Sequence, residues 1–238
     1  MKISYTLFAR KTEEEEPWLT RCVLQPAKNF VPDWFKSMKE RGTLKMCPSF
    51  RSTFSNGYVF TLPQDILVER LNDGIRIEGH ATGLDLFSTH PEIQFGDDYP
   101  FENGFTRSSC KFHSHYALSA SKPFDVIIQP CWWHESYNAI RAQHGMFRCS
   151  GKDSIVEYNI NTFIKVPENV GDTYVVPAGT PIAQLFLCHV IDAELRKSSF
   201  LEKRRAKESM IYKRLVNTAT FSKEYFKWLN RFMIKREK

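Results

Sequence analysis

No stretch of this chain approaches the roughly 18 uninterrupted apolar residues that a membrane-spanning helix requires, so no membrane partner is expected. The first residues, Met-Lys-Ile-Ser-Tyr-Thr, alternate like a strand and do not read as a signal peptide, so a cytosolic or particle-associated location is expected. Cysteine is scarce and scattered: Cys22, Cys47, Cys110, Cys131, Cys149 and Cys188 form no Cys-x-x-Cys pair. Neither a zinc ribbon nor a disulfide framework is suggested, and reduced, mostly buried thiols are expected. The chain also lacks a Gly-x4-Gly-Lys phosphate loop, a Gly-x-Ser-x-Gly nucleophile elbow, internal repeats and low-complexity segments, apart from the acid run 13–16. These absences remove P-loop chemistry, elbow-type hydrolysis and solenoid architectures.

What is present is apolar content of 42% with 14% aromatics in 238 residues, ample for a packed core. Residues 2–8 alternate, 58–62 and 66–71 are β-prone, and Asn72-Asp73-Gly74 offers a hairpin turn into 75–78. Further strands are expected over 111–118, 124–129, 154–164, 174–176 and 182–190. The last two flank a Pro177-Ala-Gly-Thr-Pro181 corner. A short helix is expected over 31–39, with Pro32 at its first position, and another turn from 48 to 54. The segment 83–103, rich in Pro, Gly and acids, reads as an irregular loop. The fold expected is mainly β, a sandwich or a jelly-roll, double-stranded β-helix-like barrel.

Charge is uneven. From Glu194 to Lys238 there are 14 Lys/Arg against five Asp/Glu, a net of +9, which leaves −3 upstream. Ser222 can cap a last helix carrying Tyr225, Trp228, Leu229 and Phe232 on one side. A boundary near residue 192 is therefore expected, between a β-rich core domain over 1–192 and a basic helical appendage over 193–238.

Taken in order, Pro26-Ala27, Val31-Pro-Asp-Trp-Phe-Lys36, Leu44-Lys-Met-Cys-Pro-Ser-Phe50, Gly57-Tyr-Val-Phe60, Ile128-Gln-Pro130 and Pro177-Ala-Gly-Thr-Pro-Ile-Ala-Gln184 resemble an uncharacterised family of β-rich proteins encoded by tailed, often marine, bacteriophages. The resemblance covers about residues 20 to 190 and implies a phage gene product with a β-rich core, without implying a reaction. Where family members carry an acidic stretch before the last strands, this chain has Gly145-Met-Phe-Arg-Cys-Ser-Gly-Lys-Asp153.

Four groups of residues could carry function. On one continuous strand His113 and His115 would face the same way and could offer imidazoles to a divalent transition metal, as in the first motif of cupin-like enzymes. The corner lacks the third histidine of the second cupin motif, with Ile182 in its place, and the alternative is a pair of plain strand histidines. The element Gly179-Thr-Pro-Ile-Ala-Gln184 resembles one of the deoxyuridine-triphosphatase β-fold, with Asp153 as the one nearby acid of the right kind. Third, Trp132 and Trp133 on an extended chain must point to opposite faces, so one of them, with His134 and Tyr137, can anchor a partner. Lys203, Arg204 and Arg205 could contact nucleic-acid phosphates; their interleaved aromatics fall at helical spacing, which favours docking onto the sandwich or a second subunit. The function expected is a non-catalytic binding or assembly module with no cofactor, meeting a protein partner or itself through the tryptophan loop, and nucleic acid at most through the tail.

Overall fold

The computed structural model describes residues 2–7, 14, 16–39, 43–79, 86–96, 98–150, 155–188 and 204, and the backbone of 194–197. Lys203, Arg205 and the tail helix expected after Ser222 lie outside the described residues. The elements are β1 (Lys2–Leu7), β2 (Gln25–Pro26), α1 (Asp33–Ser37), α2 (Pro48–Ser55), β3 (Tyr58–Thr61), β4 (Ile66–Leu71), β5 (Gly74–Gly79), β6 (Phe87–His90), β7 (Ser109–Phe112), β8 (Tyr116–Ala120), β9 (Phe124–Pro130), β10 (Ile140–Ala142), β11 (Gly145–Cys149), β12 (Ile155–Glu157), β13 (Ile160–Ile164), β14 (Thr173–Val176), β15 (Pro181–Cys188) and β16 (Glu194–Lys197). The fold is mainly β, as expected.

The described strands form sheets in the orders β12-β8-β1-β16, β10-β13-β7-β6, β11-β9-β15-β3-β2 and β14-β4-β5. Pairing is antiparallel except between β1 and β16. Period-two burial explains how the sheets enclose one core. In β13, Ile160, Thr162 and Ile164 are fully buried while Asn161 and Phe163 between them are only partly so. The inward rows deliver Ile3, Phe60, Phe112, Leu118, Phe124, Val126 and Leu185 to that core. Tyr158 is buried with them because its hydroxyl donates to the Cys22 carbonyl at 2.8 Å, removing the cost of an unpaired polar group. Asn72 and Asp73 turn β4 into β5 as expected, with Leu71 opposite Gly74. The Pro177 corner is not a hairpin: β14 pairs with β4, whereas β15 lies between β9 and β3. Gly179, at φ +80°, makes that change of sheet possible, and its N–H donates to Leu62 at 2.7 Å.

Four local expectations are corrected. The strand expected over 111–118 breaks at 113–115, where His115 takes φ +56° and the buried Ser114 hydroxyl accepts from Tyr116 N–H at 3.1 Å and donates to Tyr116 C=O at 2.8 Å. The strand expected over 154–164 is two, β12 and β13, in different sheets. The segment 83–103 contains a strand, β6, paired with β7, because Phe87 packs against Phe112 at 5.8 Å between ring centres. Helix α1 begins at Asp33, with Pro32 as its cap. A further strand, β16, lies beyond residue 192.

A second, smaller apolar cluster sits on the outer side of the five-stranded sheet: Ala27, Phe35, Phe54, Val59, Cys131 and Trp133. Among the described residues no helix is long and apolar enough to cross a membrane.

Candidate functional site

Beside this second cluster, parts of the chain that are remote in sequence meet at one cleft of about 490 Å³. Its walls are Val31 to Trp34 before and within α1, Trp133 to Glu135 after β9, and Gly179 with Pro181 of the corner. Pro32, extended at φ −69°, leads the chain into α1 and leaves Trp34 projecting from the first turn. The Trp34 indole N–H donates to the Trp133 carbonyl at 3.2 Å. Edge contacts with Phe35, Phe50 and Phe54, at 5.8, 6.3 and 6.0 Å, also hold the ring. Trp132 also meets Phe50 edge-on, at 5.6 Å. Trp34 and Trp132 each remain 43% exposed, whereas Trp133 is 4% exposed. The chain turns at 132–133 and does not run extended, so strand alternation does not set the two rings; Trp132 is exposed, and Trp133 offers no surface to a partner.

What holds Trp133 is Gln184, whose role sequence reasoning missed. Its Oε1 accepts from Trp133 Nε1 at 3.2 Å and from Gln129 Nε2 at 3.3 Å. Its Nε2 donates to the carbonyls of Thr53 at 2.6 Å and Asn56 at 2.9 Å. A glutamine has two donor hydrogens and two acceptor lone pairs, so this fully buried side chain is saturated inside the protein. The Ile-Ala-Gln element that resembles a nucleotide-binding motif therefore ties α2 and the tryptophan loop to β15, with no polar atom of Gln184 left for a ligand.

His134 caps the turn 135–138: the Ser136 N–H donates to its Nδ1 at 3.1 Å, with Ser136 Oγ 2.8 Å from the same nitrogen. Burial lowers the His134 pKa and keeps the ring neutral, an effect that Glu135 opposes. Ser136 Oγ donates to the Pro181 carbonyl at 2.6 Å, pinning this loop to the corner. Tyr137 turns toward Arg141, whose guanidinium lies 4.3 Å from its ring centre and 4.1 Å from that of Phe105; Tyr137 is a structural partner there. Asp33 and Glu135 are exposed at the rim, Asp33 with Lys36 at 2.9 Å.

The two candidate histidines lie apart from this cleft. Because the chain turns at Ser114, they do not follow strand alternation: their ring centres are 6.2 Å apart, with His113 Nε2 3.1 Å from Ser88 Oγ and His115 edge-on to Trp18 at 5.6 Å. Among the described residues no group of three or more His, Cys, Asp or Glu is placed to hold a metal ion. Burial pushes the Cys110 thiol up to about 12 and raises Cys22 and Cys131 further, so at neutral pH none of these three supplies a thiolate. Arg204 is exposed.

No family model matches the chain, and no curated protein does. Among solved structures it is similar to a dUTPase of Staphylococcus bacteriophage 80alpha, determined with dUpNHpp, at 12% identity over 60% of this chain and 85% of that one, with a TM-score of 0.30. A likeness at that level carries no argument about this chain's activity.

Proposed function

We propose that this chain is a phage-encoded, non-catalytic binding module of the host cytoplasm or the virion. It meets a protein partner at the cleft lined by Trp34, His134 and Glu135 and receives a basic side chain there. The observation that supports this reading most is the pre-set Trp34 ring, anchored through its N–H to Trp133 yet 43% exposed, beside the rim carboxylates of Asp33 and Glu135. An immobilised ring loses little freedom on binding, and its face attracts a cation by about 0.5–2 kcal/mol. The carboxylates add a smaller attraction at the exposed rim. The polar groups of the cleft otherwise serve the fold: His134 is held neutral as a cap, and Ser136 bonds to Pro181.

The test is a fluorescence titration of the whole protein with the peptide acetyl-Gly-Arg-Gly-amide and its citrulline counterpart, which has the same shape without the charge. Binding in about the millimolar range is expected for arginine alone. Citrulline should bind at least about tenfold more weakly, and Trp34→Ala or the pair Asp33→Asn and Glu135→Gln should abolish the difference. Equal responses to the two peptides would overturn the reading.

A further inference from the structure

His134 belongs to the wall of the cleft and to the framework that holds that wall. Its ring lies among the lining groups with Asp33 and Glu135, edge-on to Trp133 at 6.0 Å. The Ser136 N–H donates to its Nδ1 at 3.1 Å, and Ser136 Oγ ties the loop to the Pro181 carbonyl of the corner at 2.6 Å. A neutral imidazole keeps one nitrogen as an acceptor, whereas an imidazolium has two donors and no acceptor. Protonation therefore takes the acceptor away from the Ser136 N–H and puts a positive charge into the cleft. Among the described residues, the charged groups around the ring are Glu135, next to it, and Asp33 of α1, on which Lys36 is turned at 2.9 Å. The corner brings Gly179 and Pro181 to the wall, and its Ala178 N–H donates to Asp65 at 2.6 Å. Strand β15 carries no charged residue. Arg141 of β10 is stacked on Tyr137 and Phe105 and paired with Glu102.

We infer that protonation of His134 expels a basic side chain from the cleft, so that the module holds its partner near neutral pH and releases it in acid. The inference rests on the reading of the cleft as a seat for such a side chain. A space of about 490 Å³ is about 10 Å across, one Debye length at 0.1 M salt, so an imidazolium and a bound cation repel each other there with little screening. The imidazolium also competes for the carboxylate that draws the cation in, because Glu135 favours the charged ring. Burial acts more strongly in the other direction and keeps the ring neutral until the pH falls below the ordinary histidine value. Linkage makes the effect reciprocal: a cation that the proton expels must lower the pKa of His134 when it binds.

The experiment titrates the full chain with acetyl-Gly-Arg-Gly-amide and its citrulline counterpart at pH 8, 7, 6 and 5. In parallel, proton NMR follows the ring resonance of His134, assigned by its absence in His134→Asn, with and without saturating peptide. The affinity ratio of arginine over citrulline should fall at least about fivefold as the His134 resonance titrates. Saturating arginine peptide should move the midpoint of that resonance down by about 0.7 pH unit or more, the same fivefold read from the other side, and citrulline peptide should move it less. In His134→Asn a capping oxygen remains and no charge can form, so the ratio should stay within about twofold of its value at pH 8. A constant ratio while His134 titrates, a ring still neutral at pH 5, or a midpoint that arginine leaves unmoved would overturn the inference. A fall that persists in His134→Asn would assign the effect to Asp33 and Glu135 and overturn it as well. All of these leave the cleft as a seat for a basic side chain; equal affinities for the two peptides at pH 8 would overturn that reading and the inference with it.

Discussion

Replacing Gln184 by alanine should loosen the whole tryptophan loop, and the size of the effect follows from its four hydrogen bonds. The two donated by its amide are short, 2.6 and 2.9 Å, and the two it accepts are longer, 3.2 and 3.3 Å. At about 0.5–1.5 kcal/mol net for each bond, with the buried Trp133 N–H left unpaired, the loss is roughly 3–4 kcal/mol. For a chain of this size that lowers Tm by about 6–15 °C. Gln184→Glu sharpens the test, because it keeps the shape but turns an oxygen toward the Thr53 and Asn56 carbonyls. Only a protonated carboxyl can donate to them, so the folded state raises this group's pKa above the unfolded value of about 4.3. The variant should then come closest to the unsubstituted chain at pH 4 and fall behind it as pH rises toward 8. Urea unfolding followed by circular dichroism and tryptophan fluorescence at both pH values reads both effects. A Gln184→Ala cost below about 1 kcal/mol, or a Gln184→Glu deficit independent of pH, would refute the reasoning.

Replacing both His113 and His115 by Gln should shift stability by no more than about 1 kcal/mol and leave peptide binding unchanged; tight metal retention lost in the double variant, read by elemental analysis, would contradict this. Gly57→Ala should cost more than about 2 kcal/mol, since Gly57 sits at φ +78° and a Cβ there would lie 2.6 Å from the Leu185 carbonyl, while Gly74→Ala, with open space around it, should be near neutral in the same unfolding assay. Because burial lowers the His134 pKa, its contribution to stability is complete above the unfolded value of about 6.5 and is lost as pH falls below it. His134→Asn, which keeps a capping oxygen, should remove that part of the pH dependence in thermal melts. If Lys203, Arg204 and Arg205 contact nucleic acid, their replacement by Gln should flatten the log–log salt slope of DNA binding by up to about 3 in a gel-shift series.

The mainly β fold and several strands were legible because alternation and turn residues are local signals: β1, the Asn72-Asp73 hairpin and the stretch 181–188 lie where the pattern places them. The break at Ser114 was not, since a serine that bonds its own neighbour's backbone leaves the β-type pattern of 111–118 intact. The alternation expected of Trp132 and Trp133 does not apply, because they sit in a turn, and the burial of Trp133 depends on Gln184, 51 residues away. The cleft was hidden for the same reason. Its parts were each noticed as motifs, and only the pairing of β15 with β9 and β3 brings the corner, the tryptophan loop and α1 together.

Where a basic side chain lands is the most direct measure of the proposed role. In nitrogen-15-labelled protein titrated with acetyl-Gly-Arg-Gly-amide, the largest shifts should fall on the Trp34 indole N–H and the backbone amides of Asp33, His134 and Glu135. His113 and His115 should not move. Shifts centred on those two histidines, or none at the Trp34 indole at saturating peptide, would contradict the account.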